Sequence, residues 1–157
     1  MDIKSLSERT GIPVRQIRYV LDHELAPHRT WFIDESAVGR ARTFDEITGI
    51  IIACAVYLLD AGYKRDSIRD LITTVSRPMP KSLKNPLRLP IIAGAVMGTR
   101  SAKVQFADGR FVRWIIDEKV SDWYVSHAAT QPGFVPKVTI EIDIGKIRDL
   151  VLQGTPC

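Results

Sequence analysis

The sequence predicts an α+β fold: a helical N-terminal half, then a small antiparallel β-rich domain with a C-terminal helix. Three observations point there. Residues 3–25 carry apolar side chains at helical spacing around a glycine, and residues 102–116 read as two strands about an Asp-Gly turn. Val138, Ile140, Ile142 and Ile144 alternate strictly with Thr139, Glu141 and Asp143, the pattern of a half-buried strand. A chain of 157 residues, 45% hydrophobic and 25% charged, can build one domain or two small ones around a real core.

The first helix turns Leu6 inward, and Ser5 with Glu8 has the spacing of a capping box. Gly11 can take the positive φ that ends a helix. Pro13 suits the opening turn of the next helix, where an N–H is not needed. There Val14, Ile17 and Leu21 form one apolar stripe, with Arg15, Gln16 and Tyr19 opposite and Arg18 at the boundary. Bidentate donors on the outside of a short helix suit the edges of base pairs in a major groove.

From Ala26 to Arg42 the helical period disappears. The stretch reads as a two-stranded hairpin with its tip near residues 34–39, bearing Arg29, Arg40 and Arg42 for phosphate contact and Trp31 and Phe32 for packing. Thr43 or Asp45 caps a helix to about Leu59. Its run from Ile50 to Leu59 is apolar on every side, so it must be covered all round, by a partner chain or by the C-terminal half of its own. Gly62 ends it, and a further helix follows with Ile68, Leu71, Ile72 and Val75 inward.

Between Arg77 and Pro90, four prolines alternate with Arg77, Lys81, Lys84 and Arg88, which forbids a continuous helix and predicts a basic linker. Beyond it, residues 91–97 form a candidate strand. Residues 102–107 and 110–116 are expected to pair through a two-residue Asp108-Gly109 turn. In that register Val104, Phe106 and Phe111 share one face, and Val112 and Trp114 the other. Residues 117–136 read as irregular, anchored by Trp123 and Tyr124, and Gly145–Leu152 as a closing helix through Ile147, Leu150 and Val151.

The net charge is +4, unevenly spread. Residues 1–77 hold eleven basic and eleven acidic side chains, residues 78–114 hold seven against Asp108 alone, and residues 115–157 hold four against six. The basic excess therefore lies in the linker and first strands, where it suits a polyanion as well as a solvated connector.

Catalytic chemistry has little to work with. His23, His28 and His127 have no metal-ligand spacing among themselves or with Cys54 and Cys157, and no glycine loop continues into Lys-Ser/Thr. Asp117-Glu118 and the Glu141/Asp143 pair are neighbours only in sequence. The expectation is a non-enzyme without cofactor or metal. The chain opens on an amphipathic helix and its longest apolar run is too short for a bilayer, so no membrane association is expected.

The run Gly11-Ile12-Pro13-Val14-Arg15-Gln16-Ile17-Arg18-Tyr19, with Glu24-Leu25-Ala26-Pro27 after it, resembles the N-terminal domain of the MerR (mercury-resistance regulator) family. Gly39-Arg40-Ala41-Arg42-Thr43-Phe44-Asp45 resembles the return strand of that family's wing and the start of its next helix. Leu59-Asp60-Ala61-Gly62-Tyr63, with Ser67-Ile68-Arg69-Asp70-Leu71-Ile72, resembles its next turn and fourth helix. The likeness covers about residues 1–75. It implies an N-terminal helical winged helix-turn-helix domain over 1–76; the residues beyond carry no such likeness and read by themselves as a Pro-rich basic linker over 77–90 and a β-rich dimerisation or effector domain over 91–157. It further implies a sequence-specific bacterial transcriptional regulator, a dimeric repressor or autoregulator, cytoplasmic and nucleoid-associated, that binds double-stranded DNA through Arg15, Gln16, Arg18, Tyr19, Arg29, Arg40 and Arg42.

The family's metal sensors use cysteines beyond the DNA-binding domain, and this chain has no comparable set. The prolines exclude the long helix with which members pair their subunits, so homodimer formation falls to the β-rich half. A small-molecule effector has no supporting motif there. The alternatives are an architectural, excisionase-like accessory protein or an antitoxin-type protein-binding module.

Overall fold

The computed structural model describes residues 1–26, 42–76, 101–108, 111–116, 118–120, 124–125, 128–129 and 135–153. The expected hairpin between 27 and 41 (with Arg29 and Arg40), the linker, the strand over 91–97 and Trp123 lie outside the described residues.

Helix α1 (Ile3–Thr10) begins at Asp2, whose extended backbone lets its carboxylate accept from the Ser5 backbone N–H at 2.8 Å. This replaces the capping box expected of Ser5 and Glu8. Ser5 already lies inside the first turn, and Glu8 instead meets Lys4 one turn back at 3.7 Å. Gly11, at φ +73°, ends the helix and donates its N–H to the Ser7 carbonyl.

Helix α2 (Val14–Asp22) starts after Pro13, which occupies the cap position. Its buried stripe is Ile17, Val20 and Leu21, while Val14, expected in the stripe, is only half-buried. The stripe thus lies one position further round than Val14, Ile17 and Leu21 implied.

Helix α3 (Glu46–Asp60) is capped by Asp45, which accepts from the Thr48 N–H at 2.7 Å. It is the central post of the molecule: every residue from Thr48 to Val56 is buried. Its coverings come from within the chain, with α2, helix α4 (Arg65–Ser76) and the C-terminal helix α5 (Ile144–Gln153) all packed on it. Gly49 permits a close approach. A Cβ there would stand 3.2 Å from Met1 Sδ, 3.4 Å from Leu6 Cδ1 and 3.5 Å from Val151 Cγ1.

The sheet comprises β1 (Ala102–Ala107), β2 (Phe111–Ile116), β3 (Lys119–Val120), β4 (Tyr124–Val125), β5 (Ala128–Ala129) and β6 (Thr139–Asp143). Among the described residues the order is β5-β4-β2-β1-β6, with β3 also on β2 and each pair antiparallel. The stretch expected to be irregular therefore holds three short strands.

The hairpin register also differs from expectation. Ala107 pairs with Phe111, so the loop takes in residues 108–110 instead of Asp108-Gly109 alone. Asp108 adopts φ +50° and its carboxylate accepts from the backbone N–H of Val138 at 3.0 Å and of Lys137 at 3.2 Å. Fixing the start of β6 in this way settles the longer loop. Because side chains alternate across a strand, the one-residue shift exchanges faces. Phe106 now stands opposite Val112, and Val104 opposite Trp114, while Phe111 crosses to the other face beside Ala107. Val104, Phe106 and Val112 join the core.

Strand β6 runs directly into α5. Ile142 is buried, Ile140 half-buried and Val138 exposed, and Ile144, expected to continue the strand, is the first residue of the helix. Asp143 accepts from the Lys146 N–H at 3.0 Å and so supplies the cap. Ile147 and Val151 then face α1 and α3, so that β1, β2, β6 and α5 share one hydrophobic core with the N-terminal helices.

Candidate nucleic-acid interface

Helix α2 is seated by Ile17, Val20 and Leu21 against α3, which fixes what its other side can offer. Arg15 and Arg18 stand exposed, one helical turn apart. Among the described residues neither takes part in an ion pair. With its side chains an α-helix is about 10–12 Å across, a section that a major groove about 12 Å wide admits.

Gln16 and Tyr19, half-buried, are held from the side. Gln16 Nε2 donates to Asp60 Oδ1, at the end of α3, at 2.9 Å. The Tyr19 hydroxyl accepts from Arg65 Nε at 2.5 Å, and the same guanidinium lies 5.1 Å from the ring centroid in cation–π geometry. His23 meets the Tyr19 ring edge-on, with 4.3 Å between centroids. Arg69 donates to the carbonyls of His23 and Glu24 at 3.2 and 3.4 Å, placing positive charge at the C-terminal end of α2. Glu24 itself adopts φ +53°, which turns the chain out of the helix.

Three acidic groups beside α2 are engaged. Asp22 pairs with Arg42 at 2.9 Å, Asp66 with Arg69 at 3.4 Å, and Asp60 holds Gln16. Arg42, expected to contact phosphate, is therefore already tied to the last residue of α2. Its exposed side chain keeps further donors for a second acceptor.

Sequence reasoning placed Arg15, Gln16, Arg18 and Tyr19 on one helix, and the fold adds Asp60, Arg65 and Arg69 around them. A signal for the arginines existed: with Ile68, Leu71 and Ile72 buried, Arg65 and Arg69 fall together on the exposed side of α4. Which helix that side borders is not written in the spacing.

No protein-family model, curated protein or solved structure matches this chain.

Among the described residues, no group of three His, Cys, Asp or Glu side chains could hold a metal ion. No helix among them is long and apolar enough to cross a membrane. Cys54 is buried in α3, and burial pushes its thiol up to about 12, far from the thiolate a nucleophile needs.

Proposed function

We propose that this chain is a sequence-specific, double-stranded-DNA-binding transcriptional regulator of the winged helix-turn-helix type that the likeness to the MerR family implies. Helix α2 enters the major groove. The observation that carries the reading is the exposed Arg15–Arg18 pair on a helix whose opposite side is locked into the core. Arg15 reads base edges with Gln16, since both side chains can make paired hydrogen bonds to a base. Arg18 and the Tyr19–Arg65 pair hold the flanking phosphates, as does Arg42. One module of this size reads few base pairs, so the protein acts in the cytoplasm as a homodimer on an inverted repeat.

The test is fluorescence anisotropy on a randomised duplex pool at several salt concentrations, with the bound DNA sequenced, for wild type and Arg15→Ala/Arg18→Ala. The expected result is salt-sensitive binding that the double variant weakens by about tenfold or more, with a salt slope lower by roughly 0.9 for each phosphate no longer neutralised. An enriched inverted repeat supports the dimer, and enriched tandem sites redirect the reading to an architectural protein. Binding that the double variant leaves unchanged overturns the assignment of α2.

A further inference from the structure

We propose that Asp60 is a positioning residue that sets which bases Gln16 accepts. The inference rests on the proposed DNA-binding role of α2 and deepens it.

A carboxylate can only accept hydrogen bonds, whereas the two ends of a glutamine amide differ: the nitrogen donates and the oxygen accepts. The 2.9 Å contact between Gln16 and Asp60 Oδ1 therefore has only one chemically consistent sense, with Nε2 turned towards α3. The amide is planar, so Oε1 is turned away from Asp60, and one N–H remains beside it. Without Asp60 the amide could rotate to present either end. With it, Gln16 leads with an acceptor.

That orientation discriminates between bases by their major-groove edges. Adenine offers its N6 amino group and cytosine its N4 amino group, both donors that Oε1 can receive, and the remaining N–H of Gln16 can also reach adenine N7. At guanine or thymine only the remaining N–H finds a partner, and Oε1 is left facing an acceptor or none. In a contact from which DNA has displaced water, two facing acceptors leave both unsatisfied. Gln16 is half-buried and Asp60 exposed, so the pair is open to DNA lying along α2. Gln16 thus prefers an amino-bearing base, with adenine ahead of cytosine.

The test is sequencing of the bound fraction of a randomised duplex pool for wild type and Gln16→Ala, Asp60→Asn, Asp60→Glu and Asp60→Lys, with melting temperatures as a folding control. The position at which Gln16→Ala flattens the base profile identifies the contact. There the wild type should favour adenine or cytosine by about tenfold. Asp60→Glu, still an acceptor only, should keep that preference. Asp60→Asn has nearly the same shape but can donate or accept, and should relax it at this position alone. Asp60→Lys can only donate and should reverse it towards guanine or thymine, a reversal that Gln16→Ala/Asp60→Lys should lose, since a lysine contacting guanine directly would keep it. Loss of the negative charge raises affinity for all sequences alike, so it cannot imitate a change at one position.

An Asp60→Asn profile identical to wild type overturns the proposal while α2 stands as the reading helix. So does a wild-type preference for guanine or thymine at that position, or a Gln16→Ala profile changed nowhere. Absence of DNA binding by the wild type overturns this proposal and the proposed function together.

Discussion

The Arg9 guanidinium lies 2.6 Å from the Val151 carbonyl oxygen and 3.4 Å from that of Leu152, joining the last turn of the first helix to the end of the last one. The last carbonyls of a helix have no partner within it, and a cation placed there both bonds them and opposes the helix dipole. Arg9→Met keeps the apolar stem and removes both bonds. We expect it to lower stability by about 1 kcal/mol, since part of the charge is solvated in either state. A urea titration checks this, and an unchanged midpoint would refute it.

The same junction bears on fragments. Helix α5 covers α1 and α3 around Gly49, where a Cβ would stand 3.5 Å from Val151 Cγ1. A fragment of residues 1–76 would expose that face of α3. We expect it to lose the sharp thermal transition of the full chain, as followed by circular dichroism. A cooperative transition at the full-chain temperature would show that the N-terminal helices stand alone.

Acid should loosen the molecule at two identifiable carboxyls. The Ser5 backbone N–H, bonded to Asp2, holds that carboxyl below its ordinary 3.8, and the bonds from Lys103 and then Gln105 hold Glu141 below its ordinary 4.5. Because each folded value is the lower one, the stabilisation is complete above the ordinary values and is lost as pH falls through the folded ones. Melting temperature followed between about pH 6 and pH 2 should fall less steeply for Asp2→Asn and Glu141→Gln than for wild type. Parallel curves would refute the assignment.

Cys54 gives a reporter of global opening. Its thiol is fully covered and its acidity suppressed, so alkylation near pH 8 should label Cys54 only after unfolding. Peptide mapping separates it from Cys157. The shift also predicts stability that falls as pH rises past the ordinary thiol value of 9.0, because the unfolded state then releases a proton that the folded state keeps. Rapid labelling of Cys54 in the native protein would contradict both statements.

The helices were legible in the residues. Gly11 at positive φ, Asp45 as a cap and the uniformly apolar stretch of α3 each act through local chemistry that a neighbour cannot easily override. The hairpin loop was not, because Asp-Gly favours a two-residue turn locally and the bonds from Lys137 and Val138 to Asp108 come from a distant part of the chain. The candidate interface divides the same way. Arg15 and Arg18 follow from helical spacing, but the partners of Gln16 and Tyr19 lie 44 and 46 positions away, on helices whose approach no period encodes.

By itself the sequence determined which of the described segments are helices, where α1 ends, where α3 begins and ends within a residue or two, and which side of α2 faces outward, since each follows from side chains within a turn of one another. Only the tertiary structure decided the strand register, the covering of α3 by α5 and the setting of Gln16 by Asp60. Those depend on contacts between distant segments, and their geometry is set by how the whole core packs.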